Sequence, residues 1–333
     1  MKLESVLELK SSLVGQLAQT LTTAPKEVAA YGMAARNVKR VDKIQRSVAL
    51  GVHPAEHGDF KLAVRIQRRG LEDGTQVELI RQAAKGEVEV RYIGRVTKLD
   101  KTFFRARHRP VLIGTSVGHF AITCGTVGGF VKLKKDGSVR LLSNNHVLAD
   151  ENRARLGDAV IQPGAYDSGS RARDKIGRLV KFVRLTSPRS NKVDCALAAL
   201  DSDIKYEASK LTGIDGLKGT FKGPLAGGEH VEKLGRTTGH TKGRITAFDL
   251  DNVVVGYDTG NFAFDNQIEI EGLGSGPFCQ GGDSGSMIFT SADHLAVALL
   301  FAGSDQGGTN GKGLTFANPL ATVLTQLRAE LLI

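Results

Sequence analysis

Ser284 lies in the stretch Cys279-Gln280-Gly281-Gly282-Asp283-Ser284-Gly285-Ser286-Met287-Ile288, a serine framed by glycines just before an apolar run that reads as a strand. A hydroxyl is a poor nucleophile at neutral pH. It needs a base to take its proton and backbone N–H groups to hold the oxyanion it creates. Glycines allow the backbone to turn its amides toward a substrate carbonyl. Alone, the stretch reads equally well as a Gly/Asp/Ser turn between two strands. Two stretches upstream favour the chemical reading. Val139-Arg140-Leu141-Leu142-Ser143-Asn144-Asn145-His146-Val147-Leu148-Ala149 runs a strand into a corner that carries a histidine. Lys192-Val193-Asp194-Cys195-Ala196-Leu197-Ala198-Ala199-Leu200 brings an aspartate into a nearly continuous apolar strand.

The order His146, Asp194, Ser284, with these three motifs, resembles the trypsin-like (chymotrypsin-fold) serine proteases. The resemblance covers residues 111–333 and is nearest to the bacterial, disulfide-free members. It implies a mostly β fold, a chymotrypsin-like double β-barrel, with His146 and Asp194 in the first barrel (111–201) and Ser284 in the second (202–333). It implies that His146 abstracts the Ser284 proton, that Asp194 fixes the imidazole tautomer, and that the N–H groups of Gly282 and Ser284 form an oxyanion hole. The substrate would be a protein or peptide, and no metal or organic cofactor is called for. The position six residues before the nucleophile is Phe278, and the facing strand ends Phe301-Ala302-Gly303. The resemblance therefore implies an apolar primary pocket that selects small or medium apolar residues, with Asp305 the acid to test if basic residues are preferred instead. In secreted relatives, an N-terminus created by cleavage pairs with the aspartate before the serine, here Asp283. With about 110 residues ahead of the barrels, Asp283 must be satisfied in another way or by a partner.

The elements that must position these residues read as short strands separated by Gly, Asp and Ser from Gly114 onward, the signature of an all-β region. Strands at 118–131 and Val139 to Ser143, turned at Asp136-Gly137, form a hairpin leading to His146. Further strands are expected at 159–164 and 176–185, joined by a polar loop, and the glycine-studded segment 202–229 suits a crossing between barrels. His230 to Ile245, with Lys233-Leu234-Gly235-Arg236-Thr237-Thr238-Gly239, resembles the hairpin opening the family's second barrel, with His240 as a turn residue. Strands at 253–257, 267–270, 286–289 and 295–301 would complete that barrel. The glycine-rich 303–313 lacks a Gly-Lys-Ser/Thr ending and reads as a loop at the substrate rim rather than a phosphate loop. Asn318 and Pro319 read as the start of a C-terminal amphipathic helix.

Residues 1–110 have a different texture. An amphipathic helix over 3–21 carries Leu3, Val6, Leu7, Leu13, Val14, Leu17 and Leu21. Strands at 47–52 and 61–67, a helix over 72–85 and a strand over 88–96 make an α+β module with a strand-helix-strand unit. This smaller N-terminal domain is expected to be a regulatory or partner-binding module. His53, Glu56 and His57 cluster in a loop without a third ligand spacing for a metal.

The 333 residues carry a net charge of +10, but residues 1–110 hold 21 Lys/Arg against 12 Asp/Glu and residues 249–333 hold 2 against 10. The basic excess thus lies away from the serine. A basic N-terminal face could meet nucleic acid, yet no zinc-finger, helix-turn-helix or aromatic RNA-binding pattern accompanies it. Three cysteines make no disulfide framework, and the N-terminus mixes acids and bases where a signal peptide needs an apolar core, so a cytoplasmic setting and no membrane contact are expected. The chief reading is a serine endopeptidase controlled by its N-terminal module or a partner. The alternatives are a catalytically silent protease-fold scaffold, or a nucleic-acid-linked factor led by the basic module.

Overall fold

A computed structural model describes residues 1–22, 48–55, 59–66, 71–72, 74–92, 101–122, 124–225 and 227–333. The chain divides into two compact units, Met1–Lys98 and Leu99–Ile333. Among the described residues no helix is long and apolar enough to cross a membrane.

The first unit has a three-stranded sheet whose central strand, Phe60–Ile66, pairs antiparallel with Val48–Pro54 and parallel with Val88–Tyr92. A parallel pair needs a crossover, and the helix Thr75–Ala83 supplies it. The helix Leu3–Thr22 adds Val6 and Leu13 to a core with Leu62, Val64, Ile66 and Ile80. Leu3, Leu7 and Val14 are exposed instead. They lie on a stripe about a quarter-turn from the buried one, so the expected single apolar face is two faces. The side chains of Leu17 and Leu21, the residues Ser47, Glu56, His57 and Gln67, and positions 93–96 lie outside the described residues. The helix expected over 72–85 is shorter because Lys85 and Gly86 take left-handed φ of 49° and 81°.

The second unit includes residues 101–110, which the sequence reading left with the N-terminal module. Phe104, in the short helix Lys101–Arg105, is buried in a core cluster that residues of both barrels share. The His108 N–H and the Arg109 guanidinium both donate to Gln162 Oε1, at 2.9 and 2.7 Å.

The first barrel is an open eight-stranded sheet. The hairpin Gly129–Leu133/Val139–Ser143 turns where Asp136 Oδ1 accepts from Ser138 N at 2.9 Å. It leads through Ala196–Leu200, Lys175–Phe182 and Ala159–Ile161 to Ser116–His119 and Gly125–Thr126. The second barrel closes on itself through His230–Gly235, Gly239–Leu250, Gln267–Gly272, Leu314–Pro319, Leu295–Gly303 and Met287–Thr290. Closure leaves these six strands no free edge, and Val297, Ala298 and Leu300 fill the interior with Val231, Ile270 and Ile288.

The second unit departs from the sequence reading in further places: the stretch expected as one strand at 118–131 is divided among Ser116–His119, Gly125–Thr126 and Gly129–Leu133. Val253–Tyr257 is half of a hairpin with Gly260–Phe264, outside the barrel wall. Asn318 and Pro319 end a strand, and Pro319 rather than Asn318 is the N-cap of the helix, which covers only Leu320–Leu327. It stops at Arg328, whose φ of 53° satisfies the last carbonyls through the Arg328 N–H bond to Thr325 O at 3.1 Å. The chain then returns as the strand Ala329–Leu331, antiparallel to Gly129–Leu133 of the first sheet.

Candidate active site

His146 sits in the single helical turn Asn145–Leu148 that follows the strand Val139–Ser143. Val147 and Leu148 are fully buried and anchor the turn, while the imidazole stays 20% exposed. Asp194 enters the neighbouring strand with no exposed surface. His146 Nδ1 donates to Asp194 Oδ2 at 2.5 Å, since a carboxylate can only accept, and the tautomer follows from that. Three further donors fix the carboxylate: Asn145 N at 2.6 Å, His146 N at 3.3 Å and the Tyr257 hydroxyl at 2.7 Å. The backbone of Asp194 is held as well, by Asn318 Oδ1 accepting from Asp194 N at 2.9 Å and Asn144 Nδ2 donating to Asp194 O at 2.7 Å.

Burial disfavours the His146 imidazolium, but the Asp194 charge, its hydrogen bond and the more distant Glu151 outweigh it, so the pKa lies above its ordinary 6.5. Tyr257 comes from the hairpin outside the second barrel, and its ring meets the imidazole edge-on at 5.6 Å between centroids. Burial, then Asp194, pushes its phenol pKa well up, so the group stays a donor. The hairpin tip is anchored beside His146, because Glu151 accepts from Asp258 N and Thr259 N at 3.1 and 2.9 Å.

Ser284 lies in the turn before the strand Met287–Thr290. Its loop is stapled to the first barrel: Thr126 N donates to Ser284 O at 2.8 Å and Thr126 Oγ1 to Gly282 O at 2.9 Å. Gly125 separates Ser284 from the histidine turn. A Cβ there would come within 2.3 Å of Val147 and 2.8 Å of Ser284 O, so only glycine permits the approach. The Ser284 hydroxyl donates to Phe301 O at 3.5 Å and, among the described residues, makes no hydrogen bond to His146. The N–H groups of Gly282 and Ser284 have no partner among the described residues, whereas those of Asp283, Gly285 and Ser286 are all bonded to carbonyls. Gly282 has φ of 93°, and a Cβ would meet Thr237 Oγ1 at 2.6 Å.

Asp283 is fully buried and satisfied within the unit. It faces the fully buried Lys233 Nζ at 3.5 Å and accepts from Thr237 N, Thr238 N, Thr238 Oγ1 and Gln280 N at 2.7, 3.1, 2.7 and 2.9 Å. Burial, partly offset by the Asp283 charge, lowers the pKa of Lys233. Its ammonium also donates to Gly239 O at 3.2 Å and to Thr238 Oγ1. Beside it, Arg236 is held by Asp167, from the polar loop that follows 159–164, through Nε at 2.7 Å and Nη2.

Next to Ser284 opens a cavity of about 920 Å³. Pro277, Cys279, Leu300, Ala302 and Gly303 line it, and Asp305 and Lys312 stand at its exposed rim. Burial pushes the Cys279 thiol up to about 11, so this wall is neutral. Two residues expected in the pocket turn elsewhere. Phe278 is 1% exposed in the core of the second barrel, and Phe301 packs on Phe264 at 4.7 Å between ring centroids. Pro277 and Cys279 line the cavity, whereas Phe278 between them turns into the core of the second barrel. Phe301 contributes only its carbonyl.

Sequence reasoning missed Tyr257, Lys233, Thr126 and Asn318. Of these, only Lys233 stood in a motif quoted from the sequence, Lys233-Leu234-Gly235-Arg236-Thr237-Thr238-Gly239. His240 is a strand residue whose Nε2 pairs with Glu232 at 2.5 Å, far from a base role. Among the described residues no group of three or more His, Cys, Asp and Glu could hold a metal.

A half-open and a closed β-barrel, with a buried His–Asp pair on one and a glycine-framed serine on the other, define the chymotrypsin-like double β-barrel fold. Among solved structures the chain is similar to protease A of Thermobifida fusca, at 17% identity over 67% of this chain and 98% of that one, TM-score 0.46. It is similar to a Nocardiopsis protease at 19% identity over 67% and 99%, TM-score 0.46, and to a Cellulomonas bogoriensis chymotrypsin at 20% over 67% and 98%, TM-score 0.45. A scan of protein-family profiles and a search of curated proteins gave no match.

Proposed function

We propose that this chain is a serine endopeptidase that cleaves peptide bonds through His146, Asp194 and Ser284 and an acyl-enzyme. What carries the reading is the bond between His146 Nδ1 and Asp194, which leaves Nε2 as the only nitrogen free to take a proton. As substrate enters, the Ser284 hydroxyl turns from Phe301 O to Nε2; catalytic hydrogen bonds commonly tighten at this stage. Nε2 takes the proton as Oγ attacks the carbonyl carbon. The N–H groups of Gly282 and Ser284 receive the oxyanion, and the imidazolium, stabilised by Asp194, protonates the leaving amine. A water deprotonated by the same nitrogen then releases the acyl group. The neutral cavity beside Ser284 favours small or medium apolar side chains, and its discrimination is graded, about 1–3 kcal/mol per methylene. The Met1–Lys98 unit holds none of these residues and serves as a regulatory or partner-binding module.

The test is labelling with a fluorophosphonate, which reacts with an activated serine whatever the natural substrate. The full chain should label, and Ser284→Ala, which removes one oxygen, should abolish labelling without changing the fold. A full chain that never labels, or a Ser284→Ala protein that labels equally, overturns the assignment.

A further inference from the structure

A second cavity, of about 1000 Å³, lies away from Ser284, between the strand Ala329–Leu331 and the segment Thr220–Gly223. The floor is apolar, with Phe221, Ala321 and Leu324, and Lys134, Lys135, Lys222 and Arg328 surround it. Four cations face one acid, Glu330, whose contact with Lys134 at 3.7 Å is exposed on both sides and worth little. Lys135, Lys222 and Arg328 have no ion-pair partner among the described residues.

One wall of this groove is an unused sheet edge. Ala329–Leu331 is the outermost strand of the eight-stranded sheet. Its inner side is bonded, with Lys134 N donating to Arg328 O at 3.0 Å and Leu332 N to Phe130 O at 2.9 Å. In an antiparallel ladder with that register, Glu330 faces inward to Lys132, and the N–H and C=O groups of Ala329 and Leu331 point away from Gly129–Leu133; Ala329 is only 2% exposed, so it is Leu331 that presents this edge to solvent. A free edge is a template for another strand, and lysines beside it ordinarily serve to repel one. Here the lysines stand around an apolar trough.

We propose that this groove binds an extended acidic peptide, which adds as a strand to Ala329–Leu331, sets alternate apolar side chains on Phe221 and Leu324, and turns its carboxylates toward Lys135, Lys222 and Arg328. Single-stranded nucleic acid is the weaker candidate, because one phenylalanine is a poor platform for successive bases and the strand edge would go unused. The inference does not depend on the reading of Ser284.

The test uses the full chain carrying Ser284→Ala, so that no turnover removes the probe, and a dye-labelled peptide of alternating glutamate and leucine. Fluorescence anisotropy should show saturable binding that weakens with added salt. Exchanging both exposed lysines, Lys135→Glu with Lys222→Glu, should weaken it by at least about tenfold while the thermal melt stays unchanged. A backbone N-methylated peptide of the same sequence should fail to bind. The proposal is overturned if no saturable binding occurs below about 1 mM, if a lysine–leucine peptide binds equally, if the double exchange or the N-methylation has no effect, or if a single-stranded RNA oligonucleotide binds more tightly at the same groove.

Discussion

Replacing Lys233 by methionine removes the charge from a fully buried pair and nearly preserves its volume. Breaking a buried ion pair from one side costs about 3–5 kcal/mol, because the remaining charge is stranded. Asp283 would keep its bonds from Thr237 N, Thr238 N, Thr238 Oγ1 and Gln280 N, so the lower end, about 3 kcal/mol, is expected. For a unit of this size each kcal/mol moves Tm by about 2–4 °C, which gives a fall of about 6–12 °C. The chemistry should suffer separately. Asp283 is the residue between Gly282 and Ser284, and a shift of its backbone moves the N–H groups of both, the proposed oxyanion donors. Losing one such donor costs about 10²–10³ in rate, so partial misplacement should slow fluorophosphonate labelling by at least about tenfold. Thermal unfolding followed by circular dichroism and the labelling rate at fixed probe concentration read the two effects. Adding Asp283→Asn to Lys233→Met should recover part of the Tm, since the stranded charge disappears, and the double-mutant cycle isolates the coupling. If Lys233→Met melts within about 2 °C of the parent and labels at the same rate, the pair does not hold the site, and another feature must order the Gly282–Ser284 backbone.

Two other perturbations reach the histidine. His146 must be neutral to act as base, and its pKa is raised, so the labelling rate should climb with pH along a limb centred above 6.5. Stability should run the other way: the contribution of the folded imidazolium is complete below the unfolded pKa and is lost as pH rises through the folded one. A limb centred at or below 6.5 would show that Asp194 does not hold the charged form. Tyr257→Phe deletes one hydroxyl bond to the Asp194 carboxylate, a bond to a charged group worth about 1.5–3 kcal/mol. With fewer donors, the carboxylate attracts the imidazolium more strongly, so the acidic limb should move to higher pH. An unmoved limb would leave Tyr257 only a packing role.

The sequence made the three polar residues legible because each occupies an unusual setting: a histidine at a strand's corner, an aspartate entering an apolar strand, a serine between glycines. It made the barrels legible through strands punctuated by Gly and Asp. What it could not disclose depends on contacts between distant residues. Tyr257 sits on an ordinary alternating strand, and nothing local shows that its hydroxyl spans to Asp194. Phe278 and Phe301 were misplaced because spacing from the serine fixes a position along the chain but not the face to which a side chain turns. The C-terminal helix was overextended because Leu331 and Leu332 suit helical periodicity as well as strand alternation, and only the open edge at Gly129–Leu133 decides between them.

The return of Ala329–Leu331 to the first sheet bears on how the molecule is made. A chain emerging in sequence order presents the first barrel's internal strands early. The sheet is completed only after all six strands of the second barrel have appeared. Pairing at so great a separation is slow, because loop closure precedes the contacts that reward it. The unfinished edge at Gly129–Leu133 therefore stays open through most of synthesis. The serine loop is itself stapled to Thr126 in the earlier barrel. Assembly of the seam between the barrels therefore joins residues far apart in the chain, and is a late event shared by both.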